Sequence, residues 1–562
     1  MARARGAGRR GLAVTGGPEV MTLGPGRLTA GLNRAGRLDL AGHRATFGTT
    51  PALTQAELIS WTREVDLRGR GGAAFPFARK LTAVAEAAQR RRGHPVVVVN
   101  ATEGEPGSIK DKMLLSRSPY LVLTGALVAA RALGARRIVI GVAGQGPHLD
   151  SIEAAVAADP ELRRLVRITV TADRFVSGES GALVNAINGR VPVPPGRKVR
   201  ASERGVGGQP TLLSNAETYA QLAVLAMIGP AGYATAGTRD EPDTTLLSVG
   251  GCAARPAVVE VPLGAPLGAV LDICEVDPGA GVLVGGYHGM WLAAEAASAA
   301  PVSRAGLTAA GGSLGAGIVL PLDPGTCPLG EVARVTAYLA KESSGQCGPC
   351  MLGLPAIARS LAALVQGSGG VTALDTARRA AAGVRGRGAC AHPDGVFRFV
   401  SSALEVFTDD LAAHLLRGTC GRDARGLLPL SQDGQEQRLT VDWTRCAGHG
   451  LCAHLVPELV QLDGQGYPDF LDMPVPPWLT SQAAQAVEMC PALALRLTTT
   501  PAPGASRPAR RPGGRAALPA RPRELPGPSP ARPAREKRPD SDREIKGLVV
   551  TEAWIAQLGG DR

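Results

Sequence analysis

The segment VVVVNATEGEPGSIKDK, residues 96–112, decides the fold class, because a run of four valines ends in glycine and polar residues. Such a run is typical of a strand buried on both faces of a parallel sheet. Further along, YLVLTGALVAARALGA (120–135) predicts an apolar helix, and RIVIGV (137–142) and VRITVTAD (166–173) predict two more strands. Strand, helix and strand in this order predict an α/β domain with a parallel sheet over residues 41–236.

The composition and the secondary-structure pattern change several times along the rest of the chain. Residues 241–325 contain many glycines and short β-type runs, which predict a small β-rich domain, and residues 328–417 carry helical patterns that predict a small bundle. Residues 436–498 have cysteines near both ends, which predicts a compact unit of its own. An N-terminal extension (1–40) and a tail (499–562) complete the predicted organisation.

The formal net charge of +12 is concentrated at the ends of the chain. Residues 1–20 hold four Arg and one Glu, and residues 501–540 hold ten Lys or Arg, three acidic residues and eleven Pro, which leaves about +2 elsewhere. We therefore expect no nucleic-acid partner for the folded part, where aromatic residues for base stacking are also scarce. The tail is predicted to be disordered apart from a short helix at 548–558.

The sequence predicts a cytoplasmic protein. No stretch approaches the roughly 18 to 20 consecutive apolar residues of a membrane-spanning helix, and GLAV near the N-terminus is too short for a signal peptide. A peripheral association with a membrane partner and a translation start at Met21 stay open. Ten cysteines in such a protein are expected to be free thiols, and four scattered ones are expected to be buried apolar side chains: Cys252, Cys274, Cys327 and Cys420.

A glycine-rich segment, LRGRGGAAFPFARKL (67–81), is a candidate phosphate site. Its glycines surround Arg70 and precede a helical run, so backbone N–H groups could approach a phosphate while Arg70 or Lys80 supplies positive charge. A plain glycine-rich turn would give the same pattern.

Three further segments belong with the glycine-rich one. NATEGEPGSIKDK (100–112) follows a predicted strand, where ligand crevices of parallel sheets open, and its Asn100, Glu103 and Glu105 could hydrogen-bond a flavin ring or a ribose. Solvated loop carboxylates are the alternative. The other two segments are FVSGESGALVNAI (175–187) and GGQPTLLSNAETYAQL (207–222).

Taken in order, these four segments resemble the motifs of the NADH-oxidising, FMN-bearing flavoprotein subunit of bacterial respiratory complex I, whose family also includes formate and hydrogen dehydrogenase subunits. The resemblance covers roughly residues 60–415. It implies that residues 241–325 form a ubiquitin-like β-grasp domain of the SLBB kind and that residues 328–417 form a helical iron–sulfur-binding domain. It also implies FMN bound at Gly69, Arg70, Gly71, Gly72, Lys80, Asn100, Thr102, Glu103, Gly178, Glu179, Ser214, Asn215 and Thr218. NAD(P)H is the implied substrate, with Phe75 and Glu105 as candidate contacts.

The chain departs from the family pattern at several positions. Thr102 stands where the family usually has Asp, Ser180 replaces the second Glu of a GEE motif, and Ser214 replaces the first of two Asn. Phe75 keeps one of the phenylalanines that enclose the adenine of the nucleotide, but residues 197–206 contain no aromatic residue. FMN binding is therefore expected to be retained better than NADH binding.

The segments ESSGQCGPCMLG and RGRGACAHPDG supply a first set of cluster ligands, Cys347, Cys350 and Cys390. The family pattern has a further thiolate three residues before the first of these, and Ser344 occupies that position here. We expect a [4Fe–4S] cluster with Ser344, water or another non-cysteine ligand at the fourth iron. A [3Fe–4S] cluster, a lost site and a zinc site that includes His392 are the alternatives.

The second set of cluster ligands lies in CAGHGLC and the later Cys-Pro pair. Cys446, Cys452 and Cys490 have the spacing of small single-cluster ferredoxins, and the resemblance covers residues 436–498. His449 stands where the usual motif has another Cys. Three thiolates imply a [3Fe–4S] cluster, unless the His449 imidazole completes a [4Fe–4S] cluster.

An FMN domain followed by two cluster modules implies conversion of two-electron into one-electron transfer. The expected route runs from NAD(P)H through FMN and both clusters to an electron-acceptor protein or another redox subunit. The alternative is a non-catalytic electron-relay or scaffold subunit that has lost NADH binding. A nucleic-acid binder that uses only the basic ends is a third interpretation.

Overall fold

The structure is a computed structural model that describes residues 18–500 except 197–199, 278, 432–435, 458, 471–474 and 476–478. The tail beyond residue 500, with its helix at 548–558, and residues 1–17 of the N-terminal extension lie outside the described residues. Within the described ranges, no single helix has the length and apolar character to cross a membrane. One pair of consecutive helices has the required length and apolar character when the two are taken together, but they meet at a bend of 95°; these are Lys110–Arg117 and Pro119–Leu133.

The first region alternates helices and strands. Its elements in chain order are β1 (Glu19–Thr22), α1 (Leu40–Phe47), α2 (Gln55–Glu64), α3 (Phe77–Arg91), β2 (Val96–Ala101), α4 (Lys110–Arg117), α5 (Pro119–Leu133), β3 (Arg137–Ala143), α6 (Pro147–Ala158), α7 (Pro160–Leu165), β4 (Val166–Thr171), α8 (Ser180–Ile187), β5 (Thr211–Asn215) and α9 (Ala216–Tyr233). Short 3₁₀ turns lie at Phe175–Gly178 and Val206–Gly208.

A four-stranded parallel sheet in the order β4, β3, β2, β5 forms the centre of this region. Successive side chains of β2 point to opposite faces. Val97 and Val99 accordingly join one hydrophobic cluster, whereas Val96 and Val98 join another. The predicted mixed α/β fold with a parallel sheet is confirmed.

The β-rich region contains β6 (Thr244–Val249), β7 (Ala257–Pro262), α10 (Leu267–Ile273), β8 (Gly281–Val284), β9 (Met290–Leu292), α11 (Ala294–Ala299), α12 (Arg304–Ala309) and β10 (Ile318–Leu322). Together with β1, these five strands form a six-stranded mixed sheet in the order β1, β7, β6, β10, β8, β9. Its edge strand β1 comes from the segment that the sequence assigns to the N-terminal extension, and it pairs with β7 in parallel.

Helices dominate the next region, which contains α13 (Pro328–Lys341), a π-helical turn (Pro349–Gly353), α14 (Leu354–Val365), α15 (Gly370–Val384), α16 (His392–Val406) and α17 (Thr408–Arg417). Their apolar faces share one core with β8 and β10 of the neighbouring sheet.

The last described elements are β11 (Glu436–Val441), α18 (Leu451–Leu455), β12 (Val460–Leu462), β13 (Pro468–Phe470), α19 (Thr480–Glu488) and β14 (Leu495–Thr500). They form two antiparallel strand pairs around a separate small core.

Candidate functional site

Polar residues cluster where β2 and β5 end at the same edge of the sheet. Asn100 and Asn215 are opposite each other in the register of the two strands. The Asn100 side-chain amide donates to the Gly178 carbonyl at 3.0 Å, and its oxygen accepts from the Thr102 hydroxyl at 2.5 Å. The predicted residues Asn100, Thr102, Gly178 and Asn215 therefore do meet at the carboxyl edge of the sheet.

The glycine-rich loop lies against this edge. The Arg70 backbone N–H donates to the Thr218 hydroxyl at 3.0 Å, and a Cβ placed on Gly71 would lie 3.4 Å from the Asn215 Cβ. Gly72 has a φ of +98°, which a residue with a Cβ rarely adopts. A bulky side chain at position 71 would therefore crowd β5, and any side chain at position 72 would strain the backbone of the loop.

A cavity of about 200 Å³ opens between the glycine-rich loop and residues 313–317 of the β-rich region. Arg68, Arg70 and Arg304 line it, together with Glu217. All three guanidinium groups form ion pairs with carboxylates: Arg70 with Asp243, Arg68 with Asp66, and Arg304 with both Asp66 and Glu241. The wall of the cavity therefore combines guanidinium donors with the carboxylates that hold them in place.

The Arg70 guanidinium is buried and forms an ion pair with Asp243 at the start of the β-rich region. Its Nε atom has no hydrogen-bond partner among the described residues, and the same is true of the buried Ser214 hydroxyl. Buried polar groups normally have partners, so these two atoms at predicted site residues are groups that a polar ligand could satisfy.

Lys80 and Phe75 lie together at the start of α3. The Lys80 ammonium donates to the Leu213 carbonyl at 3.0 Å and lies 5.8 Å from the centre of the Phe75 ring. Burial lowers the pKa of Lys80. Phe75 itself is 45% exposed, so its ring is accessible to a ligand.

The structure reveals a buried polar network that the sequence analysis missed. The Lys110 ammonium lies 2.9 Å from carboxylate oxygens of both Asp111 and Glu217, and 3.2 Å from the Asn215 side-chain oxygen. Burial alone would lower the pKa of Lys110, but the neighbouring carboxylates outweigh it and raise the pKa. Burial raises the pKa of Asp111 to about 6. The network fixes Asn215, the residue that caps α9.

Two predicted carboxylates cap helices. Glu103 accepts from the backbone N–H groups of Asp111 and Lys112 at 3.1 and 2.8 Å, at the start of α4. Glu179 accepts from the Ala182 N–H at 2.8 Å, at the start of α8. Both carboxylates thus bind helix N-termini, a common role for acidic side chains.

Glu105 connects the α/β region with the β-rich region. Its carboxylate accepts from the Tyr287 backbone N–H at 2.5 Å, and a Cβ on Gly286 would collide with it. Burial, with a further contribution from Glu103, raises the pKa of Glu105 to about 8, against the effect of the hydrogen bond from Tyr287.

The first set of thiols meets around the π-helical turn. The sulfur atoms of Cys347 and Cys350 are 3.6 Å apart, and Cys390 is close enough for its charge to raise the pKa of Cys350 further. Ser344 is buried three residues before Cys347. The structure thus brings the three predicted thiols together.

His392 does not join these thiols. One of its ring nitrogens lies 2.8 Å from the Leu339 carbonyl and the other lies 3.0 Å from a ring nitrogen of His288. Both nitrogens therefore have other partners, and the alternative of a zinc site with His392 as a ligand is wrong for this arrangement.

The loop before α8 packs against the thiol-bearing region. Arg174 and the Phe175 backbone N–H both bind the Glu342 carboxylate, each at 2.9 Å. The Phe175 ring lies 5.4 Å from the His392 ring, centre to centre. The charge of Glu179 also contributes to the raised pKa of Cys390. The loop that holds Gly178 and Glu179 is therefore a direct neighbour of the first thiol set.

The second set of thiols also meets in space. Cys446, Cys452 and Cys490 line one small cavity together with His449. Gly448 and Gly450 flank the histidine with φ values of +68° and +70°, which turns the loop tightly between the first two cysteines. All four predicted ligands therefore converge.

The expectation for the scattered cysteines is only half correct. Cys274 and Cys327 are buried, whereas Cys252 and Cys420 are partly exposed. Burial cannot be read from an isolated cysteine, since it depends on packing between distant segments.

Three family models match the chain. They are the Nuo51 FMN-binding domain over residues 62–224, the NADH-ubiquinone oxidoreductase-F iron-sulfur binding region over residues 331–414, and a 4Fe-4S single cluster domain over residues 439–497. The first range contains the glycine-rich loop and the ends of β2 and β5, and the other two contain the two thiol sets.

Curated relatives agree with these matches. An F subunit of NADH-quinone oxidoreductase from Rhizobium meliloti (strain 1021) is 28% identical over 397 residues, which cover 67% of this chain and 93% of the relative. The F subunit of NADH-quinone oxidoreductase from Streptomyces coelicolor (strain ATCC BAA-471 / A3(2) / M145) is 29% identical over 405 residues, which cover 68% of this chain and 88% of the relative.

Solved structures point the same way. A crystal structure of an NAD⁺-reducing [NiFe]-hydrogenase in the air-oxidized state is similar with a TM-score of 0.63 and 27% identity, over 71% of this chain and 68% of that one. The chain thus resembles the NADH-quinone oxidoreductase F subunits, and it matches the models of their FMN-binding domain, of their iron–sulfur binding region and of a single-cluster 4Fe–4S domain, in that order.

Proposed function

We propose that this protein is a flavin- and iron–sulfur-dependent oxidoreductase that takes electrons from NADH or NADPH and delivers them singly to an acceptor protein. FMN, when bound, supplies the exchange between two-electron and one-electron chemistry. The family models and the names of the relatives support this activity.

The residues at the edge of the parallel sheet fit a flavin nucleotide. The unpartnered Arg70 Nε and Ser214 hydroxyl would gain partners, and the glycines leave space that a Cβ would fill. The adjoining cavity of about 200 Å³ is smaller than the roughly 300 to 1,000 Å³ of cofactor pockets, so it suits only part of the nucleotide. We assign FMN binding to Gly69, Arg70, Gly71, Gly72, Lys80, Asn100, Thr102, Gly178, Ser214, Asn215 and Thr218.

Glu103 and Glu179 have a different role in this proposal. Because their carboxylates cap α4 and α8, they position Lys110 and Gly178 rather than reach the flavin through their charges. Phe75, with its exposed ring, is the proposed stacking contact of the nicotinamide nucleotide. Glu105, whose carboxylate accepts from the Tyr287 N–H, is the second proposed contact.

The observation that carries the proposal is the contact between the Gly178 loop and the first thiol set. Through Arg174, Phe175 and Glu342, the loop that bounds the proposed flavin site packs on the end of α13, next to the thiols. An electron that leaves the flavin site therefore has a route through packed protein groups to a cluster held by Cys347, Cys350 and Cys390.

The proposal also assigns two further domains, the partners and the compartment of the protein. We assign the six-stranded sheet to the β-grasp domain of this family and residues 436–498 to a ferredoxin-type domain that holds a cluster through Cys446, Cys452, Cys490 and the exposed His449. Other redox subunits are the proposed partners, and the cytoplasm is the proposed compartment.

The test is anaerobic purification of the full chain, followed by absorption spectra before and after addition of NADH or NADPH. We expect flavin and iron–sulfur absorbance that bleaches with one of the nucleotides. Flavin and clusters that do not bleach would support the alternative of an electron-relay subunit without nucleotide oxidation, and absence of flavin would contradict the proposed cofactor.

Replacement of Glu342 tests the route between the two sites. Glu342→Gln removes the charge that holds Arg174 and Phe175, so cluster reduction after NADH addition should slow while flavin reduction keeps its wild-type rate. Stopped-flow absorption separates the two steps. Glu161→Gln, which affects only a surface pair with Arg131, is the matched control. Equal rates in both variants would show that the contact is irrelevant to electron transfer.

A further inference from the structure

Two of the scattered cysteines meet a histidine outside both thiol sets. The Cys327 and Cys420 sulfur atoms and a ring nitrogen of His414 all lie within 4.8 Å of one another. The His414 Nε2 atom is 3.3 Å from the Cys327 sulfur. Cys327 and His414 are buried, whereas Cys420 is partly exposed.

The position of Cys327 suits a metal-bound thiolate. It is the N-cap of α13, and its sulfur accepts from the Gly330 backbone N–H at 3.2 Å. The positive end of a helix stabilises negative charge, and this lowers the cost of ionising a thiol there. Burial nevertheless raises the pKa of this thiol to about 12, so the proton would leave only when a metal ion takes its place.

Cys420 reaches the other two residues because the chain reverses after α17. Gly418 ends that helix with a φ of +76°, in the left-handed conformation that glycine adopts without strain. The following loop then runs back to the start of α13, where the Asp423 carbonyl accepts from the Cys327 N–H at 3.0 Å. The Arg425 N–H donates to the Thr326 hydroxyl at 3.1 Å. These hydrogen bonds hold the loop that carries Cys420 against the start of α13.

We propose that Cys327, His414 and Cys420 bind a divalent metal ion of the zinc class, with water as the fourth ligand. Zinc prefers sulfur and imidazole nitrogen in tetrahedral geometry, at about 2.3 Å and about 2.0 to 2.1 Å from the metal. Two ligands of a tetrahedral centre with these bond lengths are separated by roughly 3.3 to 3.8 Å, so the observed cluster needs only a small contraction. Two thiolates also neutralise the charge of the ion.

An iron–sulfur cluster fits these residues less well. Such a cluster usually takes four thiolates, one from each corner, and this site offers two thiols and one imidazole. The partly exposed Cys420 leaves a path for water to the fourth position of a single ion.

The metal would fix the segment that leads out of the helical region. Glu331 in α13 already accepts from the backbone N–H groups of Gly426 and Leu427 at 2.5 and 3.1 Å. Together with the metal, these bonds would attach residues 418–428 to α13 shortly before β11 begins. The site would thus hold the start of the connection between the two cluster-bearing regions.

The experiment measures zinc, iron and flavin in the full-length holoprotein, purified anaerobically from zinc-supplemented cells. We expect one zinc ion per chain in addition to the iron. X-ray absorption at the zinc edge should show two sulfur ligands at about 2.3 Å and one nitrogen ligand at about 2.0 to 2.1 Å. Cys420→Ser and His414→Gln should both lose the zinc while they keep the iron and the flavin. Cys252→Ser, which removes a partly exposed thiol elsewhere, should keep all three.

Three results would overturn the proposal. One is a wild-type protein without zinc that also takes up no added Zn²⁺. Another is zinc that persists in both ligand variants, which would place it elsewhere in the chain. The third is a disulfide between Cys327 and Cys420 in the isolated protein, found by peptide mass spectrometry. If Cys420→Ser fails to fold, loss of zinc with retention of iron in His414→Gln decides the question.

Discussion

At the scale of single residues, the candidate site depends on charges that are buried in pairs. Arg70 of the glycine-rich loop and Asp243 are both almost fully buried, and they come from segments far apart in the sequence. Burial raises the pKa of Asp243 to about 6, against the opposing effect of Arg70. Since a buried charge without its partner is costly, each residue depends on the other.

Asp243→Asn should destabilise the protein strongly. It leaves the buried Arg70 guanidinium without its ion-pair partner, which costs about 3 to 5 kcal/mol in the free energy of unfolding. Chemical denaturation measures this change, and the flavin content should fall with it. Glu161→Gln is the control, because the Glu161 and Arg131 side chains are 39% and 51% exposed and such a pair is worth about 1 kcal/mol or less. Equal effects would contradict a special role of the buried pair.

Glu105 predicts a dependence of stability on pH. Between pH 4.5 and about 8 its carboxyl is ionised in the unfolded chain but still protonated in the folded one. The folded state then binds more protons, so the free energy of unfolding falls as the pH rises through this window.

Glu105→Gln should remove this contribution, because glutamine stays neutral and can still accept from the Tyr287 N–H. Thermal unfolding at pH 5, 6.5 and 8 should show that the stability of the variant increases relative to that of the wild type as the pH rises. The control is Glu57→Gln: hydrogen bonds from Thr54 lower the pKa of Glu57, so that carboxylate stays ionised from pH 5 to 8. A difference between Glu105→Gln and wild type that is constant with pH would show that Glu105 is ionised throughout.

At the scale of elements, the sequence predicted those strands and helices whose pattern is local. The valine run became β2 (Val96–Ala101), and the predicted helix at 120–135 became α5 (Pro119–Leu133). The edge strand β1 escaped prediction because EVMT has no pattern of its own and gains its hydrogen bonds only from β7. Pairing with a distant segment leaves no trace in a local window.

Glu260 of β7 holds the segment after β1 against the β-rich sheet. Its fully buried carboxylate accepts from the backbone N–H groups of Arg27, Leu28 and Thr29 at 2.9 to 3.0 Å, and from the Thr244 hydroxyl at 2.7 Å. Several donors thus converge on one pair of oxygens.

Glu260→Gln should therefore lower the free energy of unfolding by about 1 to 3 kcal/mol, since the new amide group would face N–H donors. Urea denaturation measures the loss, and faster proteolysis near residue 27 should accompany it. Glu86→Gln, in an exposed pair with Arg90, should change stability by about 0.5 kcal/mol or less. A variant as stable as the control would refute the role of Glu260 as the anchor of this segment.

Ser344 predicts a labile cluster in the helical region. A hydroxyl is a poorer ligand for cluster iron than a thiolate, so the iron nearest Ser344 should be lost in air and leave a [3Fe–4S] signal in electron paramagnetic resonance. Ser344→Cys should suppress that signal, and Cys350→Ala should abolish the cluster.

The measurement is best made in full-length protein that also carries Cys490→Ser, which removes the second cluster from the spectrum. Ser368→Cys places a thiol in an exposed turn of the same helical region and serves as the control. A signal that survives in Ser344→Cys, or that disappears equally in Ser368→Cys, would mean that residue 344 does not face the cluster.

At the scale of the whole molecule, ligands with a motif spacing were predictable from the sequence, and distant ones were predictable where the resemblance to a family supplied them. Groups that only folding brings together were not predictable. The spacings of Cys347 with Cys350 and of Cys446 with Cys452 indicate shared sites by themselves, and both pairs meet in the structure. The Lys110 network gave no such signal, because Lys110 and Glu217 are separated by several elements and meet only when α4 packs beside α9. The sequence did not predict a shared site for Cys327, His414 and Cys420, because folding alone brings Cys327 to the other two.

The parallel pairing of β1 with β7 has a consequence for biosynthesis. Residues 19–22 leave the ribosome early, but their partners, residues 257–260, follow only after roughly 240 further residues. At about 5 to 20 residues per second, this takes roughly 12 to 48 seconds. The parallel sheet of residues 96–215 can assemble during that interval, whereas the β1 segment waits without its neighbour. Translation speed over this part of the message therefore sets how long an unpaired strand edge is exposed to chaperones and to other nascent chains.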